Sequence, residues 1–311
     1  MIGALKFADR DVISVRDFTR QELDFIFDST ESIEREPGRV SDSLKEELVA
    51  LLFFEPSTRT YSTFEIAAKR LGCTVAGFSN PAESAVAKGE TLHDTVRMFE
   101  GYGAKCFVIR HNMMGAARFA SEISHVPVIN AGDGSREHPT QAMLDLYSIR
   151  KSLGNIDGLK IGILGDLKYG RTASSLSYGL ANYDVEISFI APDALQIRPE
   201  VELYLRERGV RVMRESNLKE SIGSLDVLYV TRIQKERIPD PTEYEKLRGQ
   251  YQVNLELLRD AKKSLNVMHP LPRIDEIATD VDGSEFAQYF VQAASGPPLR
   301  MALLKMIMGG S

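Results

Sequence analysis

The sequence predicts an α/β protein with two doubly wound parallel-sheet domains of similar size. Short apolar runs rich in β-branched residues alternate with helix-like segments along almost all of the 311 residues. This alternation is typical of parallel sheets that are covered by helices on both faces. The polar stretch NAGDGSREHPTQ, residues 130–141, separates the fourth strand candidate from the fifth. We therefore expect it to lie between two sheets and the helix after it to link them. One barrel that contains every strand is the alternative.

Nine segments have the short, apolar composition of buried strands. They are residues 48–54, 74–78, 105–110, 126–130, 160–165, 185–191, 210–214, 227–231 and 266–269. Between them, apolar side chains recur at helical spacing, as in the stripe of Tyr61, Phe64, Ala68 and Leu71. The helix candidates are residues 17–34, 57–71, 90–101, 115–123, 138–153, 170–182, 199–208, 252–261 and 297–308.

Prolines mark where several of these elements begin or end. Pro56 separates the first strand from the helix that follows it, and Pro139 suits the first turn of the linking helix. The last strand candidate runs into Pro270 and Pro272. Two prolines leave the local carbonyl groups without helix or ladder partners, so these carbonyls can accept hydrogen bonds from an amine ligand.

Composition excludes several classes of function. The chain is 43% hydrophobic and 26% charged, with a net charge of −6 and no basic cluster, so we expect no nucleic-acid partner. It has no apolar run close to 18 residues and no signal-like start, so we expect no membrane association and a cytoplasmic location. Cys73 and Cys106 lie in different apolar contexts and form no CxxC motif, which disfavours a disulfide framework. The five scattered His residues do not predict a metal site.

The first strand is followed by a cluster that can bind an anion. In open parallel sheets, ligands bind outside the carboxyl ends of the strands. Here Ser57, Thr58, Arg59 and Thr60 sit at the start of a helix, whose free N–H groups and dipole favour negative charge. The hydroxyl groups add donors, and Arg59 can form a bidentate contact with a phosphate. A helix cap next to a solvated Arg is the simpler alternative.

Other strands are also followed by cations and amides. These residues are Arg110, His138 with Gln141, Arg171, and Arg232 with Gln234, while Lys88 lies in the small-residue loop 80–90. Taken singly, each fits a rim Arg, a capping His or a solvated Lys. Taken together, with Asp166 as the nearest carboxylate, they predict anionic substrates, one of them phosphorylated. The glycines at 162, 165 and 170 do not have the dinucleotide-binding spacing, which opposes a nucleotide-dependent dehydrogenase.

Seven separated segments, in order, resemble the catalytic chain of the aspartate carbamoyltransferase family. They are FFEPSTRTYSTFEIAAKRLG, KGETLHDT, RHNMMGAAR, NAGDGSREHPTQAMLDLYSI, GDLKYGRT, YVTRIQKER and HPLPRIDEIATDVD. The resemblance covers the chain from near Arg10 to the final helix candidate. It implies a carbamoyl-phosphate-binding domain of residues 1–139 plus 295–311, to which the C-terminal helix returns, and an L-aspartate-binding domain of residues 140–294.

The resemblance implies transfer of the carbamoyl group of carbamoyl phosphate to the amine of L-aspartate, in pyrimidine biosynthesis. The implied carbamoyl phosphate contacts are Ser57, Thr58, Arg59, Thr60, Ser84, Lys88, Arg110, His138, Gln141, Leu271 and Pro272. The implied L-aspartate contacts are Lys88, Arg171, Arg232, Gln234 and Leu271. The implied catalytic residues are Arg59, Thr60, Lys88, Arg110 and His138. No metal or organic cofactor is implied.

The resemblance also implies an assembly. Ser84 and Lys88 are expected to enter the site from a neighbouring subunit, because members of the family form homotrimers with shared active sites. Regulatory chains join some members in a larger assembly. Ornithine carbamoyltransferase, or another transcarbamoylase, is the nearest rival, but its cationic substrate does not call for Arg232, and its HCLP motif is HPLP here. A non-catalytic scaffold is a further alternative, which the intact set of polar residues opposes.

Overall fold

Two separate parallel sheets form the framework of the protein, which confirms the predicted fold class over a barrel. The computed structural model describes residues 6–36, 42–232 and 251–309. The chain divides into two compact units, Met1–Leu144 with Ser295–Ser311 and Asp145–Ala294. The division falls within helix α5, Pro139–Leu153, which is the helix that follows the polar stretch.

The first unit contains a four-stranded parallel sheet with the strand order β2-β1-β3-β4. Its strands are β1 (Leu48–Phe53), β2 (Thr74–Phe78), β3 (Ala104–His111) and β4 (Val128–Asp133). Its helices are α1 (Arg20–Glu34), α2 (Thr58–Arg70), α3 (Leu92–Gly101) and α4 (Ala116–Ile123). All of these elements overlap segments predicted from the sequence.

Packing between helices explains why the end of the chain belongs to the first unit. The final helix, Gly296–Ile307, packs against α1 and α2. Its Arg300 is buried and lies 4.9 Å from the centre of the Phe64 ring in α2. Phe64, Ala67 and Ala68 form the buried face of α2. The apolar stripe predicted for this helix therefore serves to hold it on the unit, and the predicted return of the C-terminal helix is confirmed.

The second unit contains a five-stranded parallel sheet with the order β7-β6-β5-β8-β9. Its strands are β5 (Lys160–Leu164), β6 (Glu186–Ile190), β7 (Arg211–Glu215), β8 (Val227–Val230) and β9 (Asn266–Met268). Its helices after α5 are α6 (Arg171–Leu180), α7 (Pro199–Glu207), α8 (Leu218–Ser221), α9 (Leu255–Leu258) and α10 (Tyr289–Ala294), and the final helix is then α11. The helix expected over residues 252–261 is thus limited to a single turn. Among the helices of the described ranges, none is long and apolar enough to cross a bilayer.

Each sheet has one point at which the direction of strand addition reverses. In the first sheet this point lies between β1 and β3, and in the second it lies between β5 and β8. Such switch points open a crevice at the carboxyl ends of the two strands, where ligands bind in α/β proteins. The cluster Ser57–Thr60 and Arg110 follow or end the first pair of strands, and Arg171 and Arg232 follow the second pair.

Close backbone approach at the second switch point requires a glycine. Gly165 directly follows β5 and has a φ of 119°. A Cβ atom at this position would lie 2.2 Å from the carbonyl oxygen of Thr231. Thr231 is itself fixed, because its amide and hydroxyl groups both donate to the Leu164 carbonyl, at 2.7 and 2.9 Å. Glycine therefore allows the ends of β5 and β8 to lie side by side.

We expect Gly165→Ala to lower the free energy of unfolding by about 3 kcal/mol or more, because both the backbone conformation and the contact with Thr231 oppose a methyl group. Gly209→Ala is the matched control, since Gly209 also has a positive φ, 78°, but open space around its Cβ position. The control should cost only about 1 kcal/mol. Denaturant unfolding of both variants measures the difference, and equal costs would contradict the close approach.

Candidate active site

The start of α2 presents backbone donors that its own cap residue does not occupy. Ser57 is at the N-cap position, with φ −159° and ψ 101°, but its side chain makes no capping hydrogen bond. The first turn of the helix contains no acidic residue. Thr58 and Arg59 are exposed, while Thr60 is only 7% exposed. The Ser57 hydroxyl therefore does not cap this helix, whereas Arg59 is exposed as the simpler alternative expected. The helix terminus can receive an anion.

Arg110 joins the ends of three strands in the first unit. Its Nη2 atom donates to Glu55 Oε1 at 2.6 Å, and its Nη1 atom donates to the Ala131 carbonyl at 3.0 Å. Its own carbonyl accepts from the amide of Phe54 at 2.8 Å. The side chain is 11% exposed, so the guanidinium is held in a fixed orientation at the switch point between β1 and β3.

Glu55 was not predicted from the sequence as part of the site. It lies in the same loop as Ser57–Thr60, where a carboxylate would oppose anion binding if it stood alone. Phe53 of β1 pairs with Arg110 of β3, and Glu55, two residues after Phe53, therefore reaches the Arg110 side chain. A carboxylate directly after a strand, inside an otherwise cationic cluster, is the signal that could have identified it.

His138 occupies the position before the first turn of α5. Its carbonyl accepts from the amides of Gln141 and Ala142, at 3.0 and 3.1 Å, as expected for the residue that begins a helix. The His138 and Gln141 side chains are 4% and 9% exposed. A neutral imidazole at a helix N-terminus can donate a hydrogen bond to a carbonyl oxygen.

Glu137 anchors the loop that carries His138. Its carboxylate accepts from the Ser14 hydroxyl at 2.7 Å and from Arg16 Nη2 at 2.8 Å. Its amide donates to Asp133 Oδ1 at 3.1 Å, at the end of β4. Burial raises the pKa of Glu137, against the hydrogen bond from Ser14 and the charge of Arg16. The loop is thus tied to the N-terminal segment, a role that was not predicted.

Ser84 and Lys88 lie in the loop after the edge strand β2. The Ser84 side chain accepts from the amide of Val86 at 3.3 Å and donates to the Pro81 carbonyl at 2.9 Å, so it caps a short 3-10 helix that ends at Lys88. Lys88 is exposed. In the described part of the chain, the hydrogen bonds of the Ser84 side chain stay within its own loop.

The second unit places cations at its own switch point. Arg171 is the first residue of α6, and the residue before it, Gly170, has no side chain to cap the helix. Arg232 follows Thr231, which is bonded to the end of β5. Arg171 and Arg232 therefore follow β5 and β8, which are neighbouring strands of the sheet. Asp166, in the loop between β5 and α6, accepts from the amide of Tyr169 at 3.0 Å. Gln234, the remaining predicted ligand of this group, lies outside the described residues.

The loop after β9 has an unusual backbone. Leu271 has a φ of 57°, and the Leu271–Pro272 peptide bond is cis. The Leu271 amide donates to His269 Nδ1 at 2.7 Å. Among the described residues, no group of three or more His, Cys, Asp or Glu side chains could hold a metal ion.

Comparisons with known proteins identify the family to which these elements belong. The carbamoyl-P binding domain of the aspartate/ornithine carbamoyltransferases matches residues 10–151, and the Asp/Orn binding domain of the same family matches residues 157–307. The chain belongs to the aspartate/ornithine carbamoyltransferase family. The resemblance stated from the sequence is therefore confirmed.

Relatives within this family share almost the whole chain. The aspartate carbamoyltransferase catalytic subunit of Thermococcus kodakarensis is 53% identical over 302 residues, which cover 96% of this chain and 97% of the relative. That of Hyperthermus butylicus is 54% identical over 305 residues, with 96% of each chain covered.

Solved structures are similar in fold as well. The catalytic subunit of M. jannaschii aspartate transcarbamoylase has a TM-score of 0.90 and 45% identity, and the match covers 96% of this chain and 98% of that one. The aspartate transcarbamoylase of Trypanosoma cruzi, in complex with carbamoyl phosphate and aspartate, has a TM-score of 0.91 and 35% identity, with 97% and 96% of the two chains covered.

We expect Glu55→Gln to strengthen the binding of inorganic phosphate about threefold to tenfold, because it removes a negative charge beside Arg110 and keeps the acceptor oxygen that orients it. Glu65→Gln is the control: Glu65 pairs with Lys69 on the surface of α2, about 10 Å along the helix from its start. Titration calorimetry measures both variants. Unchanged or weaker phosphate binding by Glu55→Gln would show that Glu55 and the anion do not share Arg110.

Proposed function

We propose that the chain catalyses the transfer of the carbamoyl group of carbamoyl phosphate to the amine of L-aspartate. The amine nitrogen attacks the carbonyl carbon, the new C–N bond forms and the C–O bond to phosphate breaks. The nitrogen loses a proton, which the leaving phosphate accepts. The products are N-carbamoyl-L-aspartate and phosphate, so the activity belongs to pyrimidine biosynthesis. The observation that carries this proposal is the uncapped start of α2 beside the oriented guanidinium of Arg110.

The phosphate of carbamoyl phosphate binds to the first unit in this proposal. Ser57, Thr58, Arg59 and Thr60 hold the phosphate at the start of α2, where free N–H groups and the helix dipole favour negative charge. Arg110 reaches both the phosphate and the carbonyl oxygen, for which its buried and fixed side chain is suited. His138 donates to the carbonyl oxygen, and Gln141 contacts the carbamoyl nitrogen. The Leu271 carbonyl and Pro272 contact the substrate amines.

Charge development on the carbonyl oxygen explains why donors predominate in this set. As the amine attacks, that oxygen becomes negative, and Thr60, Arg110 and His138 supply hydrogen bonds to it. Each donor of this kind is worth about 100- to 1000-fold in rate. Holding both reactants in attack geometry supplies roughly 7–11 kcal/mol more. Neither contribution requires a metal or an organic cofactor.

L-aspartate binds to the second unit through its two carboxylates. Arg171 and Arg232 follow adjacent strands of the five-stranded sheet, as a dianionic amino acid requires. Gln234 and Lys88 complete the proposed set. Ornithine would bring a cationic side chain to these arginines, and like charges placed together are unfavourable. The relatives with the highest similarity named above are aspartate carbamoyltransferases, which also supports aspartate over ornithine.

Residues 1–139 with 295–311 form the carbamoyl-phosphate-binding domain in this proposal, and residues 140–294 form the L-aspartate-binding domain. The chain works as a cytoplasmic homotrimer, in which Ser84 and Lys88 of one subunit complete the site of its neighbour. The exposure of Lys88 in its own chain is consistent with that role. Regulatory chains would add a further layer, as the name catalytic subunit of the relatives suggests.

We expect the purified chain to form N-carbamoyl-L-aspartate from carbamoyl phosphate and L-aspartate, and to leave L-ornithine unreacted. Chromatography of the two possible ureido products distinguishes the reactions. We expect Arg59→Ala to lower kcat/KM about 100-fold or more, since it removes a charged contact to the phosphate that is leaving. Citrulline formation without carbamoyl aspartate would overturn the proposal.

Mixed assemblies test the shared site. Arg59→Ala and Lys88→Ala subunits should each be nearly inactive alone, but a mixture dissociated and reassembled should regain activity. In such a trimer, some sites combine an intact Arg59 from one subunit with an intact Lys88 from its neighbour. Random assembly of equal amounts should restore about a quarter of the wild-type activity per site, as independent mixing requires. A mixture that stays as inactive as its components would refute shared sites.

A further inference from the structure

The backbone at Leu271 is held in a conformation that its own side chain disfavours. Leu271 lies in the left-handed region, with φ 57°, which is unfavourable for a residue other than glycine. Its amide donates to His269 Nδ1 at 2.7 Å. Within the described residues, the Leu271 amide donates a hydrogen bond, whereas its carbonyl oxygen accepts none. The carbonyl is the group that the proposed function assigns to the substrate amines.

The bond from Leu271 fixes the tautomer of His269. Nδ1 accepts a hydrogen bond, so it carries no proton, and the neutral ring carries its proton on Nε2. Nε2 lies 2.7 Å from Glu276 Oε1 and therefore donates to it. His269 and Glu276 are 2% and 7% exposed, so water does not compete for these bonds.

Glu276 acts as an acceptor on both of its oxygens. Its Oε2 atom accepts from the amides of Ile274 and Asp275, at 3.0 Å each, so the carboxylate closes the loop on itself. Burial opposes the charged form, but the hydrogen bonds from His269 and the backbone amides outweigh it and lower the pKa of Glu276. The carboxylate is therefore ionised at neutral pH and can accept all three hydrogen bonds.

A second chain of bonds fixes the other end of the loop. The amide of His269 donates to Gln292 Oε1 at 2.9 Å, and Gln292 Nε2 donates to Asp145 Oδ1 at 2.6 Å. Tyr229 in β8 donates to the other oxygen of Asp145 at 2.8 Å. All of these groups are buried within the second unit. The main chain of His269 is thus anchored to β8, α5 and α10, while its ring controls Leu271.

We propose that His269 and Glu276 are positioning residues that set the Leu271 backbone so that its carbonyl receives the reacting amine. This inference rests on the proposed transfer to L-aspartate. Neither side chain was predicted as part of the site, and neither is assigned a contact with a substrate. Glu276 orients the ring, the ring orients the Leu271 amide, and the peptide geometry then directs the carbonyl.

Glu276→Gln tests the acceptor role without changing the size of the side chain. If the Gln oxygen faces His269, its NH2 group meets the amides of Ile274 and Asp275, donor against donor. If the NH2 group faces His269, the ring must move its proton to Nδ1 and loses the bond from Leu271. Either arrangement displaces the loop, so we expect kcat/KM for L-aspartate to fall about 10- to 100-fold, as misplacement by about 1 Å does.

Two variants of His269 separate its two bonds. In His269→Asn, the Oδ1 atom takes the place of Nδ1 and keeps the bond from Leu271 while losing Glu276. In His269→Gln, the longer side chain reaches Glu276 but leaves Leu271 without its acceptor. We expect the Asn variant to retain at least about tenfold more kcat/KM for L-aspartate than the Gln variant, again from the cost of misplacement. A purely structural His269 would lose activity in proportion to stability in both.

Initial rates, thermal unfolding and titration with inorganic phosphate are measured for the wild type and all three variants. We expect KM for L-aspartate to rise in Glu276→Gln and His269→Gln, which a mere loss of folded protein cannot cause, and phosphate affinity in the first unit to stay unchanged. Equal activities of the two His269 variants, or losses confined to the melting temperature, would overturn the inference, and the His269 pair decides if Glu276→Gln does not fold. A wild type that makes no carbamoyl aspartate would overturn the proposed function instead.

Discussion

The order of the strands is the constraint on which the candidate site depends. In each sheet the chain adds strands in one direction and then reverses, between β1 and β3 in the first unit and between β5 and β8 in the second. Parallel strands end at the same edge, so the reversal leaves two loops that diverge from adjacent strand ends. At the first reversal, the Arg110 side chain hydrogen-bonds to the loop after β1 and to the end of β4. At the second position, Gly165 and Thr231 bring the strand ends into direct contact, so the segments that lead to Arg171 and Arg232 begin side by side.

Three carboxylates of this protein act as supports for loops. Glu55 accepts from Arg110, Glu137 from Ser14 and Arg16, and Glu276 from His269 and two backbone amides. Each is occupied by donors that hold a loop at the end of a strand. An ionised carboxylate, such as Glu276 with its lowered pKa, forms the stronger class of hydrogen bond. An enzyme whose substrate releases phosphate does not need a protein carboxylate to remove the proton of the amine, so its acidic residues are available for holding cations and loops.

The sequence was sufficient for the parts of the fold that depend on local pattern. The nine strands of the described residues lie where apolar β-branched runs predicted them. Strands buried on both faces, such as β1 and β8, have a composition that other segments lack. Short helices were harder to predict. The helix expected over residues 252–261 is only Leu255–Leu258, since the chain turns after it and Lys262 pairs with Asp226 at 2.7 Å. Helices α8 and α10 are shorter than two turns, too short for a periodic pattern to reveal them.

The supporting residues of the site could not be predicted in the same way, because their partners are distant in sequence. Glu55 and Arg110 are 55 positions apart, and only the register of β1 with β3 brings them together. Ser14 and Glu137 are separated by 123 positions. In contrast, the residues proposed to contact substrates follow strands directly and carry charges or amides that bulk packing does not require. The residues of such a site that face the substrate can thus be predicted from local sequence, whereas the residues that orient them depend on tertiary contacts. It follows that a substitution of one of the orienting residues should change the geometry of a ligand contact, although every residue that contacts the ligand is still present.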